Sequence, residues 1–145
     1  MTEVEIFTDG ACRGNPGPGG WAAFLRYGEH EKLVKGAEME TTNNRMELMA
    51  AIQGLKALNR PSQVSLTTDS QYVRQGITQW INGWKKRNWI KKGGGSVSNA
   101  DLWQRVDKQS QQLDIIWLNG KNTKIDGDEL EEAAKMAGEA SRGEL

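Results

Sequence analysis

Apolar residues recur along this chain in two rhythms. Val4 to Thr8 reads as a strand halted at Asp9-Gly10. Gly14-Asn15-Pro16-Gly17-Pro18-Gly19-Gly20 holds four glycines and two prolines and reads as a turn. Trp21 to Tyr27 predicts a second strand, Gly28-Glu29 a hairpin turn, and Leu33 to Met39 the returning strand. From Asn43 to Asn59 the rhythm becomes helical, with Leu48, Ala51, Ile52, Leu55 and Leu58 on one stripe, and Pro61 and Ser62 end it. Val64 to Thr68 is a short apolar strand ending at Asp69. Ser70 to Trp80 places Val73, Ile77 and Trp80 on one helical stripe, with a second helical piece through Trp84. Gly93-Gly94-Gly95 reads as a flexible loop. Asp101 to Gln111 predicts a helix with Leu102, Val106 and Leu113 inward, Asp114 to Leu118 a strand, and Asp128 to Ala140 a last helix. The order βββαβααβα contains a strand–helix–strand step around residues 43–68, which implies a parallel pair within a mixed α/β sheet.

Length and composition narrow this picture. The 145 residues suit one domain, and 37% apolar with 26% charged residues is polar but too apolar for disorder. No window approaches the roughly 18 apolar residues of a membrane span, so no membrane association is expected. The acidic start Met1-Thr2-Glu3-Val4-Glu5 reads against a secretory signal, and cytoplasmic residence is the expectation. The lone Cys12 excludes an internal disulfide and suits a reducing compartment; one cysteine and one histidine do not make a zinc site. Net charge is zero, with 19 basic and 19 acidic residues, yet the signs segregate. Ser70 to Ala100 carries six basic residues and no acidic one, whereas Asp114 to Leu145 carries eight acidic and four basic.

The candidate chemistry lies at strand ends. Asp9 follows Ile6-Phe7-Thr8, Asp69 follows Leu66-Thr67-Thr68, and each precedes a small residue. Ligand crevices of open α/β sheets lie outside such carboxyl ends. Carboxylates gathered there repel unless a cation joins them, and hard oxygen ligands suit Mg²⁺ or Mn²⁺ better than Zn²⁺. Either aspartate also suits a plain turn or helix cap. Glu47 is expected in the first turn of the connecting helix, where Asn44-x-x-Glu47 also fits a capping box. The glycine–proline loop lacks the Lys-Ser/Thr and following helix of a P-loop. Trp80, Trp84 and Trp89 alternate with Lys85-Lys86-Arg87 and Lys91-Lys92; tryptophans four apart suit a core, and the one-signed basic run suits a polyanion. His30, the only histidine, belongs to a hairpin turn.

Four strings resemble the signature blocks of bacterial type 1 ribonuclease H: Ile6-Phe7-Thr8-Asp9-Gly10-Ala11-Cys12, Gly14 to Trp21, Thr41-Thr42-Asn43-Asn44-Arg45-Met46-Glu47-Leu48-Met49-Ala50-Ala51, and Thr68-Asp69-Ser70-Gln71-Tyr72-Val73. The likeness runs from Val4 to about Trp117. It implies the ribonuclease H fold: a five-stranded mixed sheet, strands 1–3 antiparallel and strands 4–5 parallel to strand 1, with helices on both faces and a basic protrusion at about 80–99. It also implies hydrolysis of the RNA strand of RNA·DNA hybrids by a monomer using two Mg²⁺ ions, with Mn²⁺ as substitute, to give 5′-phosphate and 3′-hydroxyl ends. By resemblance Asp9, Glu47 and Asp69 ligate metal. Asn15, Asn44 and Gln71 read the minor groove and 2′-hydroxyls, Thr42 and Asn99 hold a DNA-strand phosphate, and Trp80 lies near the DNA channel. Lys85, Lys86 and Arg87 meet phosphates from the protrusion.

The C-terminal part departs from that pattern. Trp117 to Leu130 has a shortened loop with Lys121 where a histidine is expected. Asp128, in the Asp-Glu-Leu that opens the final helix, best matches a fourth carboxylate, and Asp126 competes with it. Glu40 occupies a place where a basic residue often supports the phosphate pocket. A hybrid-binding module without turnover and a metal-dependent DNA nuclease are the rival readings.

Overall fold

Eleven-residue β1 (Thr2–Cys12) is the middle of a sheet with the order β3-β2-β1-β4-β5. The structure, a computed structural model, describes residues 2–58, 62–119, 138–139 and 142. β2 (Gly17–Tyr27) and β3 (His30–Thr41) fold back as antiparallel neighbours, joined at Gly28, whose φ of 58° suits a residue without a Cβ. β4 (Ser62–Thr68) runs parallel to β1, and β5 (Asp114–Asn119) parallel to β4. The expected mixed sheet, with strand directions as described, is therefore present.

Strand boundaries differ from the sequence pattern, most of all at two of them, and β3 also starts at His30, inside the expected hairpin turn, rather than at Leu33. β1 continues through Asp9 and Gly10 to Cys12, and β2 begins at Gly17, inside the expected turn. Ala11 opposes Gly20 and Cys12 opposes Gly19, so the backbone ladder extends through glycines that carry no strand propensity. A Cβ on Gly19 would stand 2.5 Å from the Thr41 methyl of β3 and 2.9 Å from the Met46 side chain of the next helix, so this part of the sheet has room only for glycine.

α1 (Asn43–Lys56) lies on the sheet. Ala51 and Leu55 meet Val4, Ile6, Ala23, Leu25, Val64 and Leu66, all buried. The other side of α1 presents Leu48 and Ile52 to α2 (Gln71–Gln75), α3 (Ile81–Lys86) and α4 (Ala100–Ser110). There Val73, Ile81, Leu102, Trp103 and Val106 complete a second apolar cluster. α1 stops at Lys56 rather than Asn59. α2 and α3 are one run interrupted by a π-helical turn, Gly76–Trp80. A Cβ on Gly76 would drive into the Trp103 ring, so the extra residue in this turn accompanies a close helix–helix approach around a fully buried indole. The expected final helix over 128–140 lies outside the described residues apart from Gly138 and Glu139.

Candidate active site and nucleic-acid interface

The register of β1 on β4 sets the geometry of the acids. The last parallel pair is Thr8 with Thr68, so Asp9 and Asp69 each stand one residue past it, side by side at the same end of the sheet. Neighbouring strands lie about 4.8 Å apart. Asp9 belongs to a strand that continues, whereas Asp69 is exposed and begins the connection to α2. Ser70 caps α2, accepting from the Val73 N–H at 3.2 Å. The plain cap role thus falls to Ser70 and leaves Asp69 without it.

Glu47 is where the sequence pattern misleads. Thr42 caps α1: its Oγ1 accepts from the Arg45 N–H at 3.2 Å. The helix begins at Asn43, as its periodicity predicts, but its cap is Thr42 and not Asn44, so Glu47 sits beyond the first turn, only 5% exposed. The Gly10 N–H donates to Glu47 Oε1 at 2.7 Å and to Asp9 Oδ1 at 2.9 Å. One backbone donor of β1 thus gathers both carboxyls. Thr68 Oγ1 donates to Glu47 Oε2 at 3.4 Å, so β4 completes the enclosure. Gly10 is the permissive residue: a Cβ there would lie 2.5 Å from the Glu47 N and the Met46 carbonyl carbon, so only glycine lets α1 descend on the strand.

Burial is the main force raising the Glu47 pKa to about 9, helped by the hydrogen bond to Asp9 and by its charge. Asp9 is also raised, first by burial and partly by the charge of Asp69; the Glu47 and Gly10 hydrogen bonds oppose this. The pair holds a proton that a cation would displace. Among the described residues no three His, Cys, Asp or Glu side chains are grouped, as they stand, to hold a metal ion. The donors nevertheless fit one: oxygen-only ligands, crowded and repelling, suit a hard divalent ion better than a soft or nitrogen-seeking one. Asp128, Asp126 and Lys121 lie outside the described residues.

The residues matched to nucleic-acid contacts form a rim beside the acids. The Asn43 N–H donates to Asn15 Oδ1 at 3.2 Å, which fastens the exposed Asn15 of the glycine–proline loop to the start of α1. Asn44 and Gln71 are exposed on the first turns of α1 and α2. Thr42 and Asn99 are linked through Arg45, whose Nη1 donates to Asn99 Oδ1 at 3.2 Å. Asp101 grips the same guanidinium at 2.8 and 3.1 Å and raises its pKa, while its own falls below the usual carboxylate range. Asn99 adopts a left-handed φ of 60° and donates to the Tyr72 hydroxyl at 3.0 Å; the Trp103 indole donates to that hydroxyl at 2.9 Å. Arg45 and Tyr72 thus organise the rim, and only their place within the quoted strings marks them in the sequence. Glu40 is exposed at the end of β3, and His30 stacks on Tyr27 at the hairpin.

Trp80 and Trp84 are half-buried rather than core residues, and Trp84 packs against the second apolar cluster. Trp80 lies 6.0 Å from Tyr72 and 5.8 Å from Trp84, and Trp84 lies 5.4 Å from Trp103 and 6.3 Å from Trp89. This aromatic ladder carries the basic row outward. Lys86, Arg87, Lys91 and Lys92 are exposed, but Lys85 Nζ pairs with Asp107 at 3.1 Å, an acid from α4 brought beside a run that has none of its own. The three glycines after Lys92 are not a loose linker. Gly94 donates to Lys91 and Gly95 accepts from Lys91, with φ of 93° and 81°, and Val97 returns to Trp89. The positive-φ glycines close a short turn that an Ile90–Ser96 bridge anchors.

A model of the RNase H family matches residues 1–142. The chain belongs to the ribonuclease H family. It is 57% identical over 139 residues to the ribonuclease H of Hydrogenovibrio crunogenus, covering 94% of this chain and 96% of that one. It is 62% identical over 126 residues to that of Halorhodospira halophila, covering 83% and 85%. The crystal structure of LC9-RNase H1, described as a type 1 RNase H with the type 2 active-site motif, matches with a TM-score of 0.85 and 28% identity, over all of this chain and 74% of that one. These relatives place the chain among the bacterial type 1 ribonucleases H, a family that cuts the RNA strand of RNA·DNA hybrids and depends on divalent metal ions. No helix among the described residues is long and apolar enough to cross a membrane.

Proposed function

We propose that this ribonuclease H binds an RNA·DNA hybrid as a cytoplasmic monomer and hydrolyses the RNA strand, leaving 5′-phosphate and 3′-hydroxyl ends. Asp9, Glu47 and Asp69 would hold two Mg²⁺ ions, with Mn²⁺ as substitute, and Asp128 would supply a fourth carboxylate, Asp126 being the competing choice. Divalent ions held there would supply a water made more acidic near the phosphorus and charge neutralisation at the leaving oxygen. The protein's share is positional. The Gly10 N–H fixes two of the carboxyls, and Thr68 holds the outer oxygen of Glu47. Asn15, Asn44 and Gln71 read the minor-groove face, where the 2′-hydroxyl distinguishes RNA. Thr42 and Asn99 receive a DNA-strand phosphate, Trp80 flanks the DNA channel, and Lys85, Lys86 and Arg87 meet backbone phosphates of the hybrid.

The observation that carries this reading is the Gly10 N–H shared by the half-buried Asp9 and the buried Glu47 at the sheet end where Asp69 also stands. A labelled hybrid incubated with Mg²⁺ and then Mn²⁺, beside Asp9→Asn, tests it. Wild type cuts the RNA strand with the stated ends and Asp9→Asn does not. Metal-independent binding without cutting would make the chain a hybrid-binding module, and equal cutting of an all-DNA duplex would make it a DNA nuclease. Asp128→Asn is expected to lose at least ~10-fold in rate, about 1.4 kcal/mol, and Asp126→Asn little.

A further inference from the structure

The Asp69 carboxylate hydrogen-bonds to no described side chain, so its aim depends on the backbone on either side. That backbone is held at three points. The Ser70 N–H donates to Thr68 Oγ1 at 3.1 Å, and the Val73 N–H donates to Ser70 Oγ at 3.2 Å. The third point comes from one turn further on: Arg74 Nη1 donates to the Thr68 carbonyl at 2.7 Å. This carbonyl belongs to the peptide unit that ends in Asp69, so the bond fixes the plane from which Asp69 departs. It is short and charge-assisted, and the shortest of the three. Arg74 is itself steadied: its N–H donates to the Ser70 carbonyl at 3.2 Å, and its own carbonyl accepts from Thr78 Oγ1 at 2.8 Å at the π-helical turn. Arg74 is half-buried, unlike the exposed basic row of the protrusion.

We infer that Arg74 is a positioning residue for the reaction: by clamping the Thr68 carbonyl it aims the Asp69 carboxylate at the metal position. The inference deepens the proposed function and rests on Asp69 being a metal ligand. Arg74 needs no contact with substrate or ion for this. Outer partners of metal-ligating groups typically govern affinity by about 10- to 100-fold when removed.

The test is Mn²⁺ binding to the nucleic-acid-free full chain, followed by calorimetry, with steady-state cleavage run in parallel. Arg74→Met is expected to weaken Mn²⁺ binding about 10-fold. Arg74→Lys, which keeps one donor but not the planar fork, is expected to weaken it about 3-fold. At saturating Mn²⁺ the KM for hybrid stays within about 2-fold in both, because phosphate grip is untouched. In an Asp69→Asn background, either Arg74 variant adds no further loss of Mn²⁺ affinity, since the two residues act as one unit. Should Arg74→Met fail to fold, Arg74→Lys decides by the same two readings. Unchanged Mn²⁺ affinity with a raised KM would overturn the inference and make Arg74 a phosphate contact. A lower Tm with unchanged Mn²⁺ affinity would overturn it in favour of a structural role. Additive losses in the Asp69→Asn background would also overturn it. Asp69→Asn alone leaving Mn²⁺ affinity intact would instead remove the metal reading beneath it, so the two failures are distinguishable.

Discussion

At the sheet end two acid side chains share one backbone N–H inside the protein, whereas along the protrusion Lys86, Arg87, Lys91 and Lys92 stand in solvent on an aromatic ladder. The first region is built from geometry. Its groups are few: Glu47 is buried and Asp9 half-buried, held by the Gly10 N–H of β1 and the Thr68 hydroxyl of β4, with Asp69 exposed beside them. The second is built from charge, with several equivalent cations whose individual directions matter little. Stability follows the same division. Crowding acids at the sheet end opposes folding, and a cation relieves it. Exposed cations on a helix and turn add or subtract little. Chemistry therefore depends on the first region residue by residue, and substrate retention depends on the second as a sum.

The largest effect that would break this contrast is on turnover. Asp9→Asn and Asp69→Asn should each reduce cleavage at saturating metal by at least ~10³-fold, about 4 kcal/mol. Any single alanine among Lys86, Arg87, Lys91 and Lys92 should leave kcat within about 2-fold while raising KM, because these charges meet phosphates alike in ground and transition states. Steady-state kinetics on one labelled hybrid measures both. A nearly active Asp69→Asn enzyme would end the geometric account of the sheet end.

Glycine gives a second contrast. Gly10→Ala puts a methyl 2.5 Å from backbone atoms of Met46 and Glu47, which cannot yield without moving α1, so a loss of about 3 kcal/mol in urea unfolding is expected, with loss of cleavage. Gly83→Ala in α3 meets only the far end of the Arg87 side chain, at 3.3 Å. That side chain swings aside, and alanine's helix preference should yield a gain of about 0.5 kcal/mol. Equal losses at the two positions would mean that the protrusion is packed as tightly as the site.

The third effect is on pH dependence without metal. Glu47 titrates near pH 9 in the folded chain and at 4.5 by its ordinary value, so the folded state holds a proton that the unfolded state has lost across this interval. Stability therefore falls as pH rises from about 4.5 toward about 9, the reverse of a paired surface carboxylate. Asp9, also raised, adds to the same slope. Glu47→Gln should flatten it and stabilise the metal-free chain by about 2 kcal/mol at pH 8. Thermal unfolding in chelator across that range checks the sign. A slope that rises with pH would show that the pair is not holding a proton.

Much of this was legible in the sequence because local chemistry and long-range structure agree there. Ile6 to Thr8 and Leu66 to Thr68 are each followed by an acid, and the parallel register sets those acids side by side. What was not legible arises from distant partners. Nothing near Glu47 announces that Thr42 takes the cap and releases the glutamate to β1. Gly17 to Gly20 read as a turn because strand signals come from side chains, while the ladder there uses only backbone. The glycine at Gly76 answers to Trp103, which comes from α4, beyond α3 in the chain. The run from Ser70 to Ala100 has no acid, yet Asp107 comes back to neutralise one of its lysines.

That lysine supplies the smallest and sharpest test of the comparison. Lys85 and Asp107 are a surface pair, their side chains 40% and 19% exposed, so the pair itself should contribute no more than about 1 kcal/mol to stability. Its consequence for binding differs from that of its neighbours. A cation released onto a phosphate contributes up to ~0.9 to the slope of log affinity against log salt. A cation already held by a carboxylate must first give up that partner and contributes less. Lys86→Ala and Arg87→Ala should each flatten the salt dependence of hybrid binding by close to that amount, and Lys85→Ala by clearly less. Asp107→Asn removes the competitor, so it should steepen the slope and tighten binding at low salt by about 2- to 5-fold, the equivalent of under 1 kcal/mol. Filter binding in chelator from 50 to 300 mM salt, about the range over which such slopes are linear, resolves the four variants without cleavage. If Lys85→Ala flattens the slope as much as Lys86→Ala, and Asp107→Asn changes nothing, the pair opens without resistance, and the protrusion counts charges with no regard to where α4 places its acid.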